Sequence, residues 1–246
     1  MSLFSPRKAG WLAVAYVAAV LIVDTLASQD IVFVIHWHQF DWKPTHVYRW
    51  LAQFLSADNL QYFSWLRHGD YQRFEVFKFV FWFLIPFIAC LPWMAWRWFG
   101  WRQWRAADWA LVFALALAGM LAMLLIPEVE SLRQRYPGMS MLPLDIKLEY
   151  FVSKLFWIVS WLIGWEFLHR YVLLRAGMRL WPGWGWIIVP LSEGLYHLQK
   201  PLLEAAGMLG LSIILTQWTL RRGGLLLPLL VHLIIEIELL LFLLFV

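Results

Sequence analysis

Apolar stretches long enough to cross a bilayer follow one another along the chain, and this pattern constrains the fold more than any other feature. A hydrocarbon layer about 30 Å thick is crossed by about 20 helical residues. Residues 109–126 contain no ionisable side chain, and residues 225–246 contain only His232, Glu236 and Glu238. With 62% hydrophobic and 15% charged residues, the chain is too apolar for a soluble domain, so lipid is its expected solvent. Backbone polar groups in lipid must be satisfied within the segment, which selects helices. The expected fold is therefore an all-α polytopic transmembrane helical bundle of about seven spans.

Those spans are read at residues 9–26, 74–96, 109–126, 148–175, 184–199, 202–220 and 225–246. Pro86 and Pro92 predict a kink in the second, while Gly177, Pro182-Gly183, Pro201 and Gly223-Gly224 separate the later ones. Residues 28–73 carry His36, His38, Asp41, Lys43, His46, Arg67, His68 and Asp70, too many polar groups for lipid, and are expected to form an extramembrane hairpin. Two regions of one structural unit follow: residues 1–145, N-terminal spans with the hairpin, and residues 146–246, a core that carries the polar site. Asp24, at the end of the first span, is expected at the interface.

The net charge of +4 belongs to topology rather than to a nucleic-acid partner. Arg7, Lys8, Arg97, Arg102, Arg105, Arg170, Arg175, Arg179, Arg221 and Arg222 fall on one side if the N-terminus is cytoplasmic, and seven spans then put the C-terminus outside. The apolar run after Arg7 and Lys8 has no small-residue cleavage site and is expected to stay as the first helix. Cys90 is the single cysteine, which excludes an intrachain disulfide and a cysteine-rich zinc site. His36-Trp37-His38 offers two imidazoles to a metal without an evident third ligand.

Ionisable groups within spans cost several kcal/mol unless paired or hydrated, so they mark function. Glu166 lies nine residues before Arg175, His197 thirteen after Trp184 and His232 ten after Arg222. At about 1.5 Å per residue these positions are about 13, 20 and 15 Å deep, so three helices bring polar groups to a similar depth. Glu193 and His197 are four apart, as are His232 and Glu236, and Glu166 and Arg170, so each pair shares a helix face. Such groups can activate water for attack on an amide, or hold a divalent metal with Glu166, His197 and His232 as candidate ligands. Glu238 falls on another face and is expected to be structural; Lys200 and Glu204 either pair or face a cavity.

The C-terminal hundred residues resemble the CPBP family of CAAX-protease and bacteriocin-processing intramembrane endopeptidases. Trp165-Glu166-Phe167-Leu168-His169-Arg170 resembles the first motif, EExxxR, in its bacterial WEFxFR form. His197, followed by Lys200-Pro201 and Glu204, resembles the second, and His232 with Glu236 the third, with a longer acid than the usual Asn or Asp. The resemblance implies an intramembrane endopeptidase in a bacterial inner membrane, acting on a membrane-anchored protein or peptide. It implies that Glu166 and His197 polarise water, that Arg170 holds Glu166 charged, and that His232 and Glu236 stabilise an oxyanion or position a metal. The cofactor is a divalent metal such as zinc, or none. Trp165 stands where CAAX-processing members carry the water-activating Glu; Glu193, one turn before His197, is the candidate replacement. A second reading keeps the fold without catalysis, as a membrane-embedded binding or immunity protein.

Overall fold

The computed structural model describes residues 6–28, 44–61, 74–102 and 104–246. Most of the expected hairpin, with His36, His38, Asp41, Lys43, Arg67, His68 and Asp70, lies outside the described residues, as does the side chain of His46. The described chain is helical, in the order α1 (Pro6–Ser28), α2 (Pro44–Leu51), α3 (Ala57–Leu60), α4 (Val76–Trp93), α5 (Ala106–Met123), α6 (Glu130–Arg135), α7 (Leu144–Leu180), α8 (Ile188–His197), α9 (Leu202–Arg222) and α10 (Leu226–Phe245). Among the described residues, α1, α4, α5, α7, α9 and α10 are long and apolar enough to cross a membrane, which makes this an integral membrane protein.

Local chemistry sets the helix ends. Asp108 Oδ2 accepts the Arg105 backbone N–H at 2.6 Å and closes the first turn of α5. Gly223 ends α9 with φ +64°, a left-handed cap that glycine adopts without a steric penalty. In α4 a π-helical turn, Phe79–Leu84, ends two residues before Pro86. It absorbs the hydrogen bond that proline cannot donate. Gly164 lets α7 press against α4, because a Cβ there would lie 2.8 Å from Trp82 Cβ.

Hydrogen bonds fix which helix ends meet. At one end, Leu225 N–H donates to Trp98 O at 2.8 Å, Arg222 Nε reaches Asp108 Oδ1 at 3.1 Å, and the Trp11 ring meets Trp181 at 5.2 Å. Arg175 lies over the Tyr171 ring, 4.7 Å from its centroid, at this same basic end. At the far end, Tyr136 O–H donates to Glu204 at 2.8 Å and Met139 N–H to Leu243 O at 2.7 Å. Among the described residues, α1, α5 and α10 therefore run from the basic end toward the far end, and α4, α7 and α9 run back.

The structure differs from the expected fifth span. Instead of a helix over 184–199, the structure has a 3-10 turn, Gly185–Ile187, and the ten-residue α8. Ten residues rise about 15 Å, half a hydrocarbon layer. The cause is a close backbone contact: Gly185 folds onto Gly177 of α7, where a Cβ on either glycine would collide with the other's backbone. Arg170 also departs from its expected place among the loop cations, since it is 1% exposed inside the bundle.

The glycines give a direct test of this packing. Gly164→Val should lower stability by about 1–3 kcal/mol through overpacking against Trp82. Gly207→Ala, where nothing lies within 4 Å of the added carbon, should leave it within error. Thermal unfolding of both purified variants in detergent checks the contrast, and equal midpoints would contradict the packing described.

Candidate functional site

Glu166 is the last residue before a second π-helical turn, Phe167–Leu173, which also contains Arg170. Such wide turns are uncommon and cluster at functional positions. Here the turn lies in the buried middle of α7, where it sets Glu166 and Arg170 against α8 and α10. Glu166, Arg170 and Glu193 are 2%, 1% and 1% exposed.

These groups form one connected chain of contacts. Arg170 Nη1 donates to Glu166 Oε2 at 2.6 Å and to Glu193 Oε1 at 2.7 Å, and Nη2 donates to Glu193 Oε2 at 3.2 Å. The second Glu166 oxygen, Oε1, lies 2.8 Å from His232 Nδ1. His197 Nδ1 lies 2.8 Å from the Glu193 backbone carbonyl. A carbonyl and an ionised carboxylate only accept, so each imidazole donates from Nδ1 and turns Nε2 away from these partners. Two indoles of α7 brace the rings, Trp161 at 5.8 Å from His232 and Trp165 at 5.6 Å from His197.

His197, His232 and Glu236 line a cavity of about 1040 Å³ that reaches the far end of the bundle at Arg135, Tyr136 and Lys200. Glu236 Oε1 is 3.9 Å from His232 Nε2, the nitrogen that Glu166 leaves free. Glu166, Arg170 and Glu193 lie behind this wall and are not part of the lining. The site is thus two-layered: imidazoles and Glu236 on the cavity, and a sealed carboxylate–guanidinium–carboxylate bridge behind them.

The sequence-derived residues converge, with three differences in pairing. Glu166 bonds His232, not His197. Glu193 meets His197 through its backbone, and both its carboxylate oxygens bond Arg170, so it does not stand where a water-activating base is needed. Of the candidate metal donors Glu166, His197 and His232, Glu166 has both oxygens engaged, by Arg170 and by His232. Among the described residues, no three His, Cys, Asp or Glu side chains are grouped to hold a metal ion. Lys200 and Glu204 meet both expectations at once: they pair at 2.6 Å and they line the cavity. Glu238 faces away from the cavity, into a groove between α5 and α10.

A second polar wall was not foreseen. Asp24 is buried, accepting the Tyr196 hydroxyl at 2.6 Å, and Lys78 pairs with Glu75 at 2.6 Å. Trp157 Nε1 donates to the same Glu75 at 2.7 Å. The available signal was Asp24 itself, a carboxylate inside an apolar run. At the far end, burial and the adjacent Glu204 carboxylate hold the Tyr136 phenol well above its ordinary pKa, so it remains the donor of their hydrogen bond.

The fold and site define a class, a polytopic helical membrane protein with a buried carboxylate–imidazole pair on an internal cavity. Comparisons of the chain with family models, curated proteins and solved structures find no match.

Arg170 holds two carboxylates that are both buried. Removing one partner of such a buried set costs about 3–5 kcal/mol, so Arg170→Leu should lower stability by that order. The triple replacement Glu166→Gln, Arg170→Leu, Glu193→Gln, which removes the charges together, should recover much of it. Unfolding midpoints in detergent measure both, and a stable single variant would refute the bridge.

Proposed function

We propose that the protein is an intramembrane hydrolase that cleaves a peptide bond of a membrane-associated protein or peptide, in the manner of the CPBP endopeptidases that its motifs resemble. The observation that carries this reading is the 2.8 Å contact between Glu166 Oε1 and His232 Nδ1, on a ring that lines the cavity. His232 Nε2 takes a proton from a cavity water as the water oxygen attacks the carbonyl carbon. Glu166 stabilises the imidazolium that forms, and Arg170 keeps Glu166 ionised and fixed. The tetrahedral intermediate then expels the amine, which takes the proton back from His232. Glu236, close to Nε2, orients the water, and His197 hydrogen-bonds it from the other ring. The dry bundle strengthens each of these interactions. Positive charge at the basic end supports a cytoplasmic position for that end, which directs the cavity toward the outer side of a bacterial inner membrane.

One observation favours the rival reading, a non-catalytic binding or immunity protein. Trp165, at the position of the family's first Glu, is 2% exposed and packed against Trp82 at 5.4 Å and Tyr196 at 5.0 Å. No carboxylate can replace it without rebuilding that cluster.

Purified protein in vesicles, given a panel of membrane-anchored reporters, separates the two readings. The hydrolase reading expects cleavage that His232→Ala or Glu166→Gln reduces by about 100-fold or more, the scale of a lost general base. A parallel arm with a chelator shows whether a metal takes part. Absence of cleavage across the panel favours the binding protein, and full activity in His232→Ala would overturn the role given to His232.

A further inference from the structure

Away from the cavity, α5 and α10 leave a groove on the outside of the bundle, with a volume of about 520 Å³. Phe113, Leu117 and Met120 of α5 form one side and Leu230 and Ile234 of α10 the other, with Glu238 as the ionisable group of the lining. Phe113, Leu117 and Met120 are exposed, so the groove opens toward lipid. Positions 230, 234 and 238 are four apart, and 113, 117 and 120 four and three apart, so each side is one stripe of a helix face. Two such ridges with a furrow between them receive a third helix.

Glu238 lies twelve residues into α10 and Gly119 thirteen into α5. At about 1.5 Å per residue these are about 18 and 20 Å from the basic end, within a hydrocarbon layer about 30 Å thick. Gly119 makes room for the carboxyl group, because a Cβ there would lie 3.2 Å from Glu238 Oε2. That oxygen is buried, and no donor among the described residues reaches it. Other acids in the spans have theirs: Asp24 accepts from Tyr196, Asp108 from Trp218 and Arg222, and Glu166 and Glu193 from Arg170. An acid at this depth without a donor in its own chain is costly, and a donor supplied by another polypeptide offsets that cost.

We infer that the groove docks a membrane-spanning helix of a different polypeptide, one that carries Lys or Arg at mid-depth and sets this cation against Glu238. The hydrolase reading is not needed for it. Three features select that occupant. The stripes run about 10 Å from 113 to 120 and about 12 Å from 230 to 238, which is about two turns of helix. The ionisable group in the lining is acidic, so an ammonium or guanidinium is its complement. A second copy meeting the groove across a two-fold axis would bring Glu238 toward Glu238, and neither α5 nor α10 contains Lys or Arg to answer it. Lipid cations stay in the headgroup layer, and acyl chains have no donor.

Crosslinking in phosphatidylcholine vesicles tests this. The purified protein is reconstituted with one of three synthetic single-span Leu-Ala helices that carry Lys, Leu or Glu at the central position. A photoreactive phenylalanine replaces Phe113 in the groove or, as a control, Ile88 on the exposed side of α4. The expected result is crosslinking of the Lys span from 113 at least 10-fold above the Leu and Glu spans, no such excess from 88, and loss of the excess in Glu238→Gln. Equal crosslinking of the Lys and Leu spans, the outcome of apolar packing alone, overturns the inference. So does a Lys-span signal that persists in Glu238→Gln, a product that joins two copies of the protein in place of the span, or crosslinks to lipid only. Glu238→Gln keeps the shape of the side chain, and its unfolding midpoint verifies the fold. The comparison of the three spans on the protein with Glu238 intact decides the question whatever that variant does.

Discussion

Two carboxylates from different helices meet one guanidinium-bearing side chain, Arg170, with all three groups buried inside the bundle. Each ion alone would be expensive to bury, and the geometry offsets that cost only because the planar guanidinium contacts both carboxylates at once. The bridge therefore fixes the register of α7 against α8. It also leaves the outer oxygen of Glu166 directed at α10, where His232 completes the contact. The position of the imidazole on the cavity is thus a consequence of a charge arrangement behind it.

The wide turn in α7 belongs to the same arrangement. Glu166 and Arg170 are four apart, close enough to pair on a regular helix, yet Arg170 must also turn far enough to hold Glu193 on α8. The π-helical Phe167–Leu173 segment shifts the face that follows Glu166 and is compatible with both contacts. Trp82, Trp165, Tyr196 and the neighbouring aromatic rings fill the remaining volume around the polar groups. Their bulk keeps the bridge dry, and the rings of Trp161 and Trp165 brace the two histidines that face the cavity.

Much of the architecture was legible in the sequence, because lipid imposes length and polarity rules that read directly as apolar runs. Six long apolar helices and their order along the chain follow from those rules. Glu166, Arg170, Glu193, His197, His232 and Glu236 were legible as a set for the same reason: an ionisable group inside a span is rare enough to stand out. The short α8 was not legible, since an apolar run of sixteen residues looks alike whether it is helical throughout or folded over at Gly185. The buried state of Asp24 was hidden as well, since a carboxylate near the end of a span reads as interfacial unless its partner Tyr196 is known.

The sequence by itself determined the long apolar spans and the helical class, because these depend on composition and on hydropathy along the chain. The tertiary structure decided the partnerships: Glu166 with His232 rather than His197, and Glu193 with Arg170 rather than with water. Helix spacing fixes which residues share a face, but the rotation and tilt that bring one face to another depend on how side chains from every helix pack together.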